Sequence, residues 1–337
     1  MRTVTVLATG GTIATRSDAA GQAVARDAGA DLVRALAPRT GVRVLVDDVL
    51  RVGGYLMSPT LMHRLAVRVG QHLADEAMAG LVVTHGTDTI EETAYFLDLV
   101  VDDERPIVLT GAQRPADAPD SDGPRNLTDA VTVAAHPSSR GLGTLIVFGG
   151  RIFAARGTRK SHTIATDTFT APGGGQLGWV RGDTVQVDTR PVQRGRLPLP
   201  ADDLSGLRVD IVACYPGADA TALRAFAAAG ARGVVLEATG AGNANPQICE
   251  AVADLTAAGV VVATSTRVEC GPVVPIYAGG GGSDLLAAGA VPAGALRPSQ
   301  SRVLLTLLLA THTDPTVVRR ELAGHVAGSI AGAPEAG

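Results

Sequence analysis

Residues 81–100 read LVVTHGTDTIEETAYFLDLV. The run Leu81–Thr84 is short and apolar, as suits a strand buried on both faces. From Thr89 to Val100 the apolar residues recur at helical spacing. Between the two lie His85, Gly86, Thr87 and Asp88, residues of a tight turn. Thr89-Ile90-Glu91-Glu92 has the form of a capping box opening the helix. A strand that passes through such a turn straight into a helix is one half of a parallel β-α-β unit.

Moving outward, the pattern repeats. Thr3–Ala8, Val42–Val46, Pro106–Thr110 and Gly143–Phe148 read as strands. Ala30–Leu36, Ser58–Glu76 and Pro124–Ala135 read as helices, with Ser58 as N-cap and Pro59 at the first helical position. Residues 150–190 change to short β-like runs between glycines and threonines, which suggests hairpins. Pro191 to Pro200 carries three prolines and reads as a linker. The alternation then restarts with strands at Asp210–Cys214, Gly233–Ala238 and Val260–Thr264 and helices at Asp219–Ala229, Gln247–Ala258, Ser299–Ala310 and Pro315–Leu322. The fold class is therefore α/β, with a larger N-terminal domain at 1–190 and a smaller C-terminal one at 205–337, each built on a parallel sheet. Gly279-Gly280-Gly281-Gly282 reads as a flexible surface connection.

Composition narrows the function. With 46% hydrophobic residues the chain has ample material for packed cores. A formal net charge of −4, without long basic runs, argues against nucleic acid and anionic membrane as partners. No apolar stretch reaches the roughly 18 residues of a spanning helix, and Met1-Arg2 leads directly into a strand rather than a secretory signal. Cys214, Cys249 and Cys270 are too scattered for a disulfide framework or zinc site, and the histidines show no metal-ligand spacing. A cytoplasmic protein without a metal constellation is expected.

In parallel sheets ligands bind beyond the carboxyl ends of strands. Three turns there carry candidate chemistry: Thr9-Gly10-Gly11-Thr12-Ile13-Ala14, His85–Thr89 and Gly111-Ala112-Gln113-Arg114-Pro115. The first is no phosphate loop, because the required lysine is absent. Gly173 to Gly178 matches a dinucleotide glycine pattern but leads into a β-like run instead of a helix. Thr12 is either a turn residue or a nucleophile whose flanking glycines, Gly11 among them, let backbone N–H groups reach an oxyanion. Thr87 and Asp88 either cap a helix or act on a substrate, Asp88 on an ammonium group. His85 fits a structural turn better than a general base. The acids at 102–104 and 117–122 read as solvated loop charges. Of 29 basic residues only Lys160 is a lysine. Lysine can be deprotonated where arginine cannot, so Lys160 is either an exposed side chain or the base that a threonine nucleophile needs.

These residues resemble the bacterial-type L-asparaginases. Thr9–Ala14 is similar to that family's first signature, and Thr84–Asp98 matches its second almost letter for letter. Gly111–Pro115 with Ser121–Leu127, Lys160 within Arg156–Thr163, Gly240–Asn245 and Ser265–Val268 resemble further blocks, in order along nearly the whole chain. The resemblance implies hydrolysis of L-asparagine to L-aspartate and ammonia without a cofactor. Thr12 would be the nucleophile and Thr87, Asp88 and Lys160 its supporting set, Asp88 also pairing with the substrate ammonium. Ala112 would touch the substrate amide through its backbone. The family forms intimate dimers, usually paired into tetramers, and Asn245 would be the neighbouring copy's contribution to each site.

Three departures stand out. Thr15 to Ala30 holds no tyrosine where many members have one, the matching position being near Gln22. Residues 271–320 hold no glutamate. The family's Ser-Gln pair for the α-carboxylate falls on Gly54-Tyr55, leaving backbone N–H groups to do part of that work. The alternatives to an asparagine amidohydrolase are the same chemistry on glutamine or another small amide, and a catalytically weak asparagine- or aspartate-binding sensor that keeps the fold.

Overall fold

A computed structural model describes residues 1–18, 20, 22–34, 36, 41–192 and 195–327. The chain divides into two compact units, Met1–Arg196 and Leu197–Gly337. Both are α/β, with a connecting segment between them; residues 193 and 194 of the proline-bearing linker lie outside the described residues.

The first unit is built on an eight-stranded sheet. In spatial order its strands are Thr184–Val187, Gly178–Arg181, Arg151–Ala154, Thr144–Phe148, Ile107–Thr110, Met78–Thr84, Arg2–Gly10 and Val42–Val52. The last five run parallel. The first three add antiparallel at one edge, as the glycine-punctuated stretch after residue 150 leads one to expect. The alternation of the parallel strands explains their burial. Val4, Val6, Val82, Val108, Leu145 and Val147 join one core with Leu127, Ala130, Val131 and Ala134 of the helix Gly123–Ala135. Their neighbours Leu7, Leu81, Val83, Leu109 and Ile146 are equally sealed from solvent, so the sheet is covered on both faces. The helix Pro59–Leu73 starts where the sequence places it, with the Ser58 hydroxyl accepting from Leu61 N.

The second unit has a parallel sheet of four strands, in the order Val209–Ala213, Gly233–Ala238, Val261–Thr266 and Val291–Pro292. Its helices Pro246–Ala257, Pro298–Thr311 and Pro315–Val326 all begin at a proline, whose missing N–H costs nothing at that position. Here the expected flexible connection is corrected. Gly280, Gly281 and Gly282 are buried. A Cβ on Gly280 would stand 2.6 Å from the Asn245 carbonyl carbon, and Gly282 N donates to Asn243 Oδ1 at 3.1 Å. The glycines are there because two backbones meet, not because the chain must move.

Among the described residues no helix is long and apolar enough to cross a membrane, and no group of three potential metal ligands occurs.

Candidate active site

Four turns at the carboxyl ends of the parallel strands are stitched together by two backbone hydrogen bonds and one threonine hydroxyl. Thr9 Oγ1 donates to Thr84 O at 2.7 Å, His85 N to Thr110 O at 2.8 Å and Gly11 N to Val52 O at 3.0 Å. Where the glycines of these turns meet there is no room for a side chain. A Cβ on Gly11 would lie 2.5 Å from Gly86 N, and one on Gly54 would lie 2.9 Å from Gly86 O. Gly11 also needs its glycine for conformation, at φ 80°. Thr12 and Thr87, each the next residue after a glycine of the Gly11–Gly86 contact, are thereby brought into one neighbourhood.

Thr12 opens a short 3-10 turn, Thr12–Ala14, and is partly buried. Its carbonyl accepts from the N–H and the hydroxyl of Thr15, which holds the turn closed. Ala112 is fully buried, and a Cβ on Gly123 would stand 2.9 Å from Ile13 Cγ1 and 3.5 Å from Ala112 Cβ, so the turns bearing Ile13 and Ala112 both meet the start of the helix Gly123–Ala135.

Lys160 reaches the site from a two-residue ladder, Arg159–Lys160 against Phe169–Thr170. Its Nζ donates to Thr87 Oγ1 at 2.9 Å and to Asp88 Oδ1 at 2.8 Å. The ammonium is largely covered, with a side-chain exposure of 16%, while Asp88 keeps 52% and so stays open to a ligand. Asp88 and Lys160 lie on a cleft of about 400 Å³ shared with Glu91, Arg159 and His162. Thr87, Asp88 and Lys160, assigned from the sequence, are thus in direct contact.

The remaining candidates are placed as follows. Gly54 is buried and Tyr55 is 76% exposed, both in the 3-10 turn Gly54–Leu56. Asn245 belongs to the second unit, where its Oδ1 accepts from Ile248 N at 3.0 Å and its Nδ2 donates to Ala218 O at 2.8 Å. His85 is fully buried, and burial drives its imidazole down to about 4 against the pull of the Gly86 carbonyl on Nδ1. A neutral, sealed ring of this kind is a structural turn residue.

Two expectations are corrected. The capping box does not form: Thr89 makes no side-chain cap. Its hydroxyl donates instead to Gly54 O at 2.7 Å, a buried tertiary acceptor that outcompetes the helix end. Glu91 of the same tetrad accepts from Lys160 N at 2.7 Å and so fixes the hairpin that carries the lysine. The acidic loop is also more than solvated charge. Asp122 accepts from Gln113 N at 3.1 Å and Arg114 N at 3.0 Å, and Asp117 accepts from Ser17 N at 2.8 Å. Asp122 therefore sets the turn that contains Ala112.

Gln113 and Glu91 are the site residues that sequence reasoning missed. Gln113 Oε1 accepts from Thr87 Oγ1 at 2.9 Å. Neither its type nor its position announces chemistry; its signal is only its place beside Ala112 in a strand-end turn.

A fixed hydroxyl, an amine able to gain or lose a proton and an open carboxylate make an arrangement that can move a proton beside a ligand carrying a positive group.

Comparison with known proteins places the chain in a family. Residues 3–193 match the family model "Asparaginase, N-terminal", and residues 208–322 match "Glutaminase/Asparaginase C-terminal domain". The chain is 37% identical to a probable L-asparaginase of Deinococcus radiodurans, over 93% of this chain and 94% of that protein. It is 34% identical to a probable periplasmic L-asparaginase of Haemophilus influenzae, over 94% and 91% respectively. A crystal structure of a probable cytoplasmic L-asparaginase from Campylobacter jejuni superposes with a TM-score of 0.85 at 29% identity, covering 96% of this chain and 100% of that one.

Proposed function

The chain belongs to the bacterial-type asparaginase/glutaminase family, and from that premise we propose that it hydrolyses L-asparagine to L-aspartate and ammonia with Thr12 as nucleophile. The observation that carries the reading is the unbroken contact Thr87–Lys160–Asp88 at 2.9 and 2.8 Å. In the proposed course, Thr12 Oγ attacks the side-chain amide carbon and its proton passes through Thr87 to the free amine of Lys160. The tetrahedral intermediate collapses with protonation and loss of ammonia, leaving an ester on Thr12. Water, activated by the same groups, cleaves that ester to the carboxylate and restores Thr12.

Asp88 takes the substrate ammonium, consistent with its open carboxylate. Gly11, Gly54 and Tyr55 hold the α-carboxylate and the developing oxyanion, largely through backbone N–H groups. Ala112 contacts the amide through its backbone. Asn245 is assigned to the neighbouring copy's site, in a homo-oligomer built from intimate dimers. No step calls for a metal or an organic cofactor.

The test is ammonia release by the purified protein with L-asparagine, D-asparagine and L-glutamine, beside Thr12→Ala and Thr87→Val. Turnover of L-asparagine that vanishes in both variants supports the proposal. Preference for L-glutamine reassigns the substrate while keeping the chemistry. The hairpin Thr15–Ser17 with Ala23–Ala25, which lacks a tyrosine, favours a second reading as a binding protein. No release from any amide, with calorimetric binding of asparagine or aspartate, would select it.

A further inference from the structure

The Thr87 hydroxyl has one proton and two lone pairs, and its neighbours decide where they point. The Lys160 ammonium can only donate, so at 2.9 Å it occupies a lone pair of Thr87 Oγ1. The Gln113 amide stands 2.9 Å from the same oxygen. Its orientation is fixed from the far side. The other end of the amide is 3.4 Å from the Thr163 carbonyl, which can only accept, so that end is the NH2 group. Oε1 therefore faces Thr87 and takes the hydroxyl proton. Gln113 is itself anchored, because its backbone N donates to both oxygens of Asp122 at 3.1 Å.

This arrangement is a resting one. An ammonium has no lone pair, and the Thr87 proton is committed to Gln113. When Lys160 loses a proton, its Nζ and Gln113 Oε1 compete for the single hydrogen of Thr87. Proton transfer through Thr87 to Lys160 requires that Nζ win. We infer that Gln113 is a positioning residue that holds the Thr87 hydroxyl in its resting orientation and thereby sets the pH at which the relay becomes available. The kinetic part of this inference rests on the amidohydrolase reading above; the orientation itself does not.

Other charges face Lys160 as well. Asp88 is bonded to Nζ, Glu91 to the backbone N, and Arg159 and His162 share the cleft. The paired strand Phe169–Thr170 brings none. All of these are retained when Gln113 alone is changed, so a comparison of variants isolates the amide.

Because Lys160 is the chain's one lysine, selective carbon-13 lysine labelling gives a single Cε signal that can be titrated by NMR in the full chain, without substrate. Gln113→Met removes the acceptor at similar volume. The expected result is a Lys160 titration midpoint lower by about 0.5–1 pH unit, roughly three- to tenfold in the deprotonation constant, as for the loss of one hydrogen bond. The acid limb of kcat/KM moves by the same amount, while KM changes by less than about twofold. Gln113→Glu, which keeps an acceptor at the same place, leaves the midpoint at or above that of the wild type. In a Thr87→Val background Gln113→Met gives no further shift. A midpoint in Gln113→Met within about 0.2 pH unit of wild type, or an equal shift without the Thr87 hydroxyl, overturns the inference. Absence of amidase activity in the wild type would defeat the proposed function and leave the NMR result to decide this one.

Discussion

Replacing Gly86 by alanine tests whether the backbone stitching of the turns is what aligns the site. A Cβ on Gly86 would stand 2.5 Å from Gly54 Cα, and closer still to Gly54 N. Ordinary contact begins near 3.4 Å, so the two turns must part by about 1 Å. Neither atom belongs to a flexible side chain that could swing away. Gly86 is not among the glycines at positive φ, so alanine suits its conformation and the effect is purely steric. Overpacking of this kind costs about 1–3 kcal/mol, which leaves a typical domain folded. A displacement of 1 Å at reacting groups costs on the order of 100-fold in rate. Gly86→Ala is therefore expected to fold and to lose roughly 100-fold in kcat/KM for ammonia release from L-asparagine. The matched control is Gly70→Ala. Gly70 lies exposed within the helix Pro59–Leu73, and its Cβ would meet nothing within 4 Å. That change should stabilise by about 0.5–1 kcal/mol in urea unfolding and leave turnover unaltered. If Gly86→Ala retained more than about a third of wild-type kcat/KM, the tight apposition of the turns would not be what positions the chemistry.

Three further outcomes are expected. His85 titrates near 4 in the folded chain against about 6.5 when exposed, so the unfolded chain binds the extra proton first; stability is full above about pH 6.5 and falls by up to about 3 kcal/mol as pH drops to 4, a loss that urea titrations should find reduced in His85→Gln. Gly281→Ala places a Cβ 2.7 Å from the Tyr277 carbonyl carbon at an ordinary φ of −89°, so it should destabilise by about 1–3 kcal/mol; an unchanged urea midpoint would return the four glycines to the status of a loose loop. Tyr55→Phe should raise KM by about two- to tenfold if the hydroxyl helps hold the α-carboxylate, and an unchanged KM assigns that task to backbone.

The fold was legible where local chemistry and tertiary packing agree. Doubly buried apolar runs such as Leu81–Thr84 and proline-started helices such as Pro246–Ala257 carry their own signals. Legibility failed where glycine had two readings. In Gly279–Gly282 the composition of a flexible linker and that of a close backbone crossing are identical, and only the partner, Asn245–Pro246, distinguishes them. The same ambiguity hid the role of Gly86. The hairpin Thr15–Ser17 with Ala23–Ala25 escaped for another reason: its strands are three residues long, too short for any periodicity, and it is braced from outside by Asp117.

Within the site, the legible residues are those whose chemistry is rare. A lone lysine among arginines, or a threonine that follows two glycines at a strand end, stands out because few structural needs call for it. Gln113 and Glu91 do not stand out, since amides and carboxylates are ordinary on surfaces and helix starts. Their roles exist only through partners far along the chain: Thr87 lies 26 residues from Gln113, and Lys160 lies 69 from Glu91. The tetrad Thr89–Glu92 shows the general consequence. Its sequence satisfies a local rule, the capping box, yet the Thr89 hydroxyl that would cap the helix is spent on a distant partner, Gly54 O, and the adjoining Glu91 carboxylate is spent on Lys160 N. A hydroxyl at a helix end gains about 1 kcal/mol from capping. A buried carbonyl left without a donor costs about 1–3 kcal/mol. Where a strand-end turn buries a carbonyl beside a helix start, the second quantity wins, and the local motif is redirected to hold the site together.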